Sequence, residues 1–251
     1  MQFIHKVSKG SRFNQIYIPR GMESIFEAGD LVEVKLIKKK VELFYSRKIE
    51  INEFKNKLIR EIISFLSRFK DIKQIFMVGS FLTKKIDYND IDLLIISNKD
   101  LGEEIYDKLA DKFSLKFHVI SIQEAKFKEL TETDPLTRSM LYYSVSNIKF
   151  HIPKARFDKN HIDFLLMMPK DLLKININSR AYYDSIRRLT AIERFLDNKE
   201  INPKDVDEEI EILIGKSFRK IKENEEINEK DRENLKKIIK NKIKKIENEQ
   251  K

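Results

Sequence analysis

The chain has 251 residues, of which 36% are charged, and its formal net charge is +9 at pH 7. It contains no cysteine, which excludes disulfides and thiolate metal sites. No apolar run approaches the length of a membrane span and the N-terminus lacks a signal-peptide pattern, so we expect a cytoplasmic protein with two or three modest domains. The basic excess favours contact with nucleic acid or nucleotide phosphate.

The first segment, residues 1–45, is predicted to form short strands separated by turns. The strand patterns lie around Val7, at 15–19 and at 30–36, and Gly10-Ser11 and Gly29-Asp30 are turn signals. This arrangement of Ile-x-Ile-Pro and Gly-Asp-x-Val-x-Val resembles the AbrB/SpoVT swapped-hairpin domain. In that family two chains exchange hairpins to close one barrel, so the resemblance implies a homodimer.

The same resemblance implies DNA binding by basic residues in loops of this segment. The candidates are Lys6, Lys9, Arg12 and Arg20. About forty residues alone bury little core, which makes an exchange between chains physically reasonable. The alternative is a small β unit used only for dimerisation or docking.

An amphipathic helix is predicted over residues 50–70, directly before the next strand. Apolar residues recur at helical spacing along it. These are Ile51, Phe54, Leu58, Ile62, Phe65 and Phe69, and we expect all of them to face the core.

The most informative pattern follows, where a buried strand ends in Gly79-Ser80 and a second strand carries Asp90 and Asp92. Because side chains alternate along a strand, both carboxylates leave the same face. Their mutual repulsion is costly unless a cation lies between them, and a divalent metal with oxygen ligands is the usual solution. Gly79 permits close approach of a ligand, and Ser80 can donate to a phosphate oxygen. The pattern predicts a metal–triphosphate site, and the alternative is an aspartate-rich turn.

Residues 70–122 resemble the Gly-Ser…Asp-x-Asp region of the DNA polymerase beta-type nucleotidyltransferase superfamily, particularly its minimal members. The resemblance implies that Gly79 and Ser80 hold the phosphates of a nucleoside triphosphate. It also implies that Asp90 and Asp92 hold one or two Mg²⁺ ions, and that the core is a mixed sheet with flanking helices.

The resemblance is incomplete in one respect, since active members present a third carboxylate from a later strand. That strand contains no acid here, and His118 stands about where the acid is expected. A histidine can accept a proton near neutral pH, so Asp90, Asp92 and His118 are the candidate catalytic residues. The alternative is that His118 is only packed or solvated, with catalysis lost.

Residues 156–251 are predicted to be helical, with Asn202-Pro203 and Asn228 at helix starts. The complete prediction is an α+β fold. It comprises an AbrB-like β-hairpin domain (1–45), a nucleotidyltransferase mixed sheet with flanking helices (50–155) and a C-terminal helical domain (156–251).

These patterns support two functions of different class. The first is magnesium-dependent transfer of a nucleoside monophosphate to an unidentified acceptor hydroxyl, on a protein, an RNA end or a small molecule. The second is a non-catalytic DNA-binding regulator, or an antitoxin with a partner toxin protein, because both domain types occur in toxin–antitoxin modules.

Overall fold

The computed structural model describes residues 3–37, 39–84, 86 and 88–250. The chain divides into two compact units, Met1–Ile37 and Lys38–Lys251. We describe each unit by itself. Within the described residues, no helix combines the length and the apolar character that crossing a bilayer requires.

The first unit contains a short antiparallel hairpin of β1 (Ser8–Lys9) and β2 (Asn14–Gln15). The predicted strand at 30–36 has no regular secondary structure. Most of the unit's apolar side chains are exposed, including Leu31, whose exposed fraction is 100%. A segment of this length has too few residues to form a hydrophobic core of its own.

The second unit is built around one five-stranded sheet. Its strands are β3 (Phe44–Tyr45), β4 (Ile72–Val78), β5 (Ile91–Ser97), β6 (Phe117–Gln123) and β7 (Val145–Ser146). Their order across the sheet is β3-β7-β4-β5-β6. Only β5 and β6 run parallel, and the other neighbouring pairs are antiparallel. The predicted mixed sheet is therefore confirmed.

Ten α-helices accompany the sheet in the described residues. They are α1 (Glu53–Leu66), α2 (Gly102–Phe113), α3 (Glu124–Thr133), α4 (Pro135–Tyr142), α5 (Lys159–Leu165), α6 (Met167–Leu172), α7 (Ser179–Leu196), α8 (Pro203–Ile214), α9 (Ser217–Lys222) and α10 (Glu229–Glu249).

Helix α1 begins where the Asn52 side chain accepts a hydrogen bond from the backbone N–H of Lys55, which satisfies one free donor of the first turn. Its fully buried apolar residues are Ile59, Ile62, Ile63 and Leu66. The predicted core residue Phe54 is 65% exposed instead. The buried stripe is thus rotated relative to the prediction, because a broad apolar face leaves the packing direction open.

The two faces of the sheet bury different side chains. On one face, Met77, Leu93 and Ile95 pack with residues of α1 and α2. On the other face, Val78 and Leu94 join a smaller cluster that includes Phe127 of α3. Asp92 and His118 alternate with residues of the first face, so they belong to the second face.

The C-terminal helices enclose a separate hydrophobic cluster, to which α5 to α10 all contribute. This confirms the helical character predicted for the end of the chain. Each of the four arginines of α7 forms an ion pair or a hydrogen bond within the protein; they are Arg180, Arg187, Arg188 and Arg194. For example, Arg180 pairs with Asp184, and Arg194 pairs with Asp205 and Glu209.

Candidate functional site

The Gly79-Ser80 turn follows directly after β4, which ends at Val78. Gly79 has φ +80°, a conformation that residues with a Cβ rarely adopt. Residues Ser80–Leu82 then form one 3₁₀ turn, in which the backbone N–H of Leu82 donates to the Gly79 carbonyl at 3.3 Å. Both Gly79 and Ser80 are exposed, so a ligand can reach the turn.

The turn lies against the carboxylate of Asp92. An ideal Cβ built on Gly79 would stand 2.0 Å from Oδ2 of Asp92, far inside van der Waals contact. Strand pairing explains this proximity, because Val78 is the cross-strand partner of Asp92. The two halves of the sequence pattern, ten residues apart in the chain, therefore meet in space.

Asp90 and Asp92 flank Ile91, which is fully buried on the α1 and α2 side of the sheet. Alternation along the strand directs both aspartates to the opposite side. Both are partly exposed. In the described part of the chain, neither forms an ion pair with a lysine or arginine. Among those residues, their negative charges therefore have no permanent cationic partner.

His118 stands beside Asp92 on the neighbouring parallel strand, where the two residues are register partners. Nδ1 of His118 lies 3.0 Å from Oδ1 of Asp92, and the carboxylate accepts the hydrogen bond. The His118 side chain is 59% exposed. Position 118 therefore faces Asp92, and its side chain is not packed in the core.

Glu124 lies far from Asp92 and His118, near the opposite end of the strands. It begins α3 and forms an ion pair with Lys73, at the other end of β4 and β5 from Asp92. Among the described residues, no group of three or more histidine, aspartate or glutamate side chains is placed to hold a metal ion.

The donor set nevertheless fits Mg²⁺. This ion is commonly bound by one or two carboxylates, with substrate phosphates and waters completing its octahedron. Asp90 and Asp92 offer hard oxygen ligands with no ion-paired lysine or arginine in the described part of the chain, and the missing side chain of Gly79 leaves room next to Oδ2 of Asp92. These two carboxylates are thus compatible with a metal that arrives with a triphosphate.

The sequence pattern does not predict Lys55 as part of this region, because the amphipathic pattern of the helix is defined by its apolar residues. It is 2% exposed, and its Nζ donates to the carbonyls of Phe81 and Thr83 at 2.9 Å each. Burial lowers the pKa of the Lys55 ammonium. The available signal was a lysine four residues before Ile59, within the buried stripe of α1.

The basic residues predicted to bind DNA all lie in the first unit. Lys6, Lys9, Arg12 and Arg20 are exposed, and none forms an ion pair with another described residue. They are free to contact an anion.

Comparison with known proteins gives one match. Residues 57–154 match the family model described as nucleotidyltransferase domain. This supports the predicted superfamily and a general nucleotidyl-transfer function for that segment. No curated protein and no solved structure matches the chain.

Proposed function

We propose that the protein transfers a nucleoside monophosphate from a nucleoside triphosphate to an acceptor hydroxyl, with pyrophosphate as the leaving group. The observation that carries this proposal is the contact between the Gly79 backbone and the Asp92 carboxylate, where an added Cβ would stand 2.0 Å from Oδ2. This contact brings the exposed Gly79-Ser80 turn, proposed to bind phosphate, next to the Asp90 and Asp92 carboxylates, proposed to bind the metal.

Each part of the site has a distinct role in the proposed reaction. The Ser80 hydroxyl donates to no other described residue, which leaves it available to a phosphate oxygen. Asp90 and Asp92 would hold Mg²⁺, which when bound would neutralise charge on the triphosphate oxygens. The turn contributes orientation of the triphosphate, since a fixed geometry lowers the entropic cost of reaction.

A direct test is incubation of the purified protein with each nucleoside triphosphate, labelled on the α-phosphate, and Mg²⁺. The readouts are calorimetric binding and transfer of the label to candidate protein, RNA and small-molecule acceptors. We expect binding of at least one triphosphate that disappears with EDTA. If no triphosphate binds in a metal-dependent way, the enzyme assignment is wrong.

His118 is proposed to act at the position of the missing third carboxylate. Replacing His118 by Asp should strengthen Mg²⁺ affinity by roughly tenfold, because a third carboxylate then stands next to Asp92. The measurement is Mg²⁺ titration in the presence of nucleotide. His151→Asp, an exposed histidine outside the aspartate pair, makes the same change in charge and should leave the affinity unaltered.

If His118 accepts the proton of the acceptor hydroxyl, His118→Ala should reduce turnover by about 10²–10⁴-fold. Magnesium–nucleotide binding should stay nearly constant, because Asp90 and Asp92 remain. Single-turnover kinetics and calorimetry on the same preparation separate the two quantities. Equal turnover of the folded His118→Ala protein and wild type would remove His118 from the catalytic set.

The first unit is proposed to form an AbrB-like dimer. Its exposed apolar side chains, among them Ile4, Phe13, Leu31 and Val34, are the surface that a second copy would bury. Light scattering should give twice the 30.0 kDa of one chain. Removal of residues 1–37, which spares β3 and the five-stranded sheet, should give a monomer. A full-length monomer would overturn the swapped-hairpin proposal.

A non-catalytic DNA-binding regulator or antitoxin is the second candidate function. Two observations favour it: the unpaired basic residues of the first unit, and the absence of a three-acid group among the described residues. Gel shifts with the protein's own upstream DNA at several salt concentrations provide the test. Retention of this DNA over unrelated DNA, without turnover, supports the regulator, whereas nonspecific binding erased by salt opposes it.

A further inference from the structure

Lys55 is a buried cation next to the proposed phosphate-binding turn. Its residue is 2% exposed and it lies in the first turn of α1, where Asn52 caps the helix. Lysine is rarely buried to this extent unless its ammonium has compensating partners. The groups that contact this ammonium therefore indicate why a lysine is buried here.

Two effects oppose a charged lysine at this place. Burial removes water from the ammonium, which lowers the pKa of Lys55. The helix N-terminus also carries the positive end of the helix dipole, which disfavours a cation there. An apolar residue in the same stripe as Ile59 would avoid both costs.

The ammonium is stabilised by groups from the segment that follows the Gly79 turn. Nζ donates to the carbonyl oxygens of Phe81 and Thr83, each at 2.9 Å. It also lies 5.0 Å from the ring centroid of Phe81 and 5.1 Å from that of Tyr88. Both distances allow cation–π attraction.

These partners connect the two halves of the candidate site. Phe81 lies within the 3₁₀ turn that begins at Ser80, and Thr83 follows directly after it. One ammonium therefore binds both the turn and the residue that ends it. Tyr88 packs edge-to-face on Phe81, with centroids 4.8 Å apart. Tyr88 is two residues before Asp90, so the same cation also contacts the segment that leads to the aspartate pair.

We propose that Lys55 is a positioning residue for the nucleotide site, holding the Ser80 turn and the segment before Asp90 in the arrangement that binds a nucleoside triphosphate. This inference rests on the proposed function. Lys55 acts through the turn and contacts neither the triphosphate nor the metal.

The test is Lys55→Met, which keeps an apolar stem of similar length and removes the ammonium. We expect Mg²⁺–nucleotide affinity to fall at least tenfold in calorimetry, at a temperature where circular dichroism shows a folded protein. The matched control is Lys57→Met, an exposed lysine on the same helix, which should bind as wild type does. Folded Lys55→Met with wild-type affinity would overturn the proposal.

Chemical rescue separates positioning from general destabilisation. Lys55→Ala removes three methylene groups, the last of which bears the ammonium, and n-propylammonium approximates the space that they leave. We expect n-propylammonium to restore most of the lost affinity, while tetramethylammonium at equal ionic strength does not. Equal effects of the two cations would contradict a specific role for the ammonium.

A measurement on the unaltered protein covers the case in which the variants fail to fold. With ¹⁵N-labelled lysine, the protected ammonium of Lys55 should give a resolved NMR signal that shifts when Mg²⁺–nucleotide binds. An unchanged signal at saturation would overturn the positioning role. Absence of binding by wild type would instead reject the proposed function, so the two failures are distinguishable.

Discussion

Replacement of both Asp90 and Asp92 by asparagine should reduce nucleotidyl transfer by about 10³-fold or more, because a metal clamp on the triphosphate supplies several kcal/mol of transition-state stabilisation. Asparagine preserves the size of each side chain and removes its charge. Metal-dependent nucleotide binding in calorimetry should be lost together with turnover.

The thermal stability of this double variant provides an internal check. The aspartates repel each other and form no ion pair with lysine or arginine among the described residues, so their neutralisation should leave the melting temperature equal or raise it. The matched control is Asp107→Asn with Asp111→Asn, two exposed residues of α2. Metal-dependent binding that persists without Asp90 and Asp92 would place the metal elsewhere.

Gly79→Ala is expected to abolish nucleotide binding and to destabilise the fold. The alanine must adopt φ near +80°, at a cost of about 1–3 kcal/mol. Its Cβ would also stand 2.0 Å from Oδ2 of Asp92, so either the turn or the carboxylate must move. Chemical denaturation measures the first effect, and calorimetry with Mg²⁺–nucleotide measures the second.

Gly215→Ala is the matched control for this prediction. Gly215 also has positive φ, at +57°, but an added Cβ meets nothing within 4 Å. Its substitution should cost similar backbone strain and leave nucleotide affinity unchanged. If both variants lose affinity equally, general destabilisation explains the result. If Gly79→Ala binds nucleotide normally, the turn is not part of the site.

Local sequence signals predicted much of this fold. The helix predicted over residues 50–70 spans Glu53–Leu66 in the structure. Asn202 and Asn228 cap α8 and α10, because their side chains accept hydrogen bonds from the backbone N–H groups of Lys204 and Asp231. Strand alternation also predicted that Asp90 and Asp92 leave the same face, since a period of two leaves only two orientations.

Features that depend on distant partners could not be predicted in the same way. The pairing of Phe44–Tyr45 with Val145–Ser146 joins segments about a hundred residues apart, and neither short strand has a strong pattern of its own. Lys55 resembles a solvated helix residue in the sequence. Its burial follows from carbonyls at Phe81 and Thr83, which only the tertiary fold brings to it.

The parallel register of β5 and β6 limits how this site can change during evolution. Seven consecutive pairs join the strands, from Ile91 with Phe117 to Ser97 with Gln123. Loss or gain of one residue inside β6 would turn Phe117 toward the aspartates and His118 into the core, since side-chain direction reverses at each step. Length changes should therefore accumulate in the loop between α2 and β6, while the strand itself evolves by substitution alone.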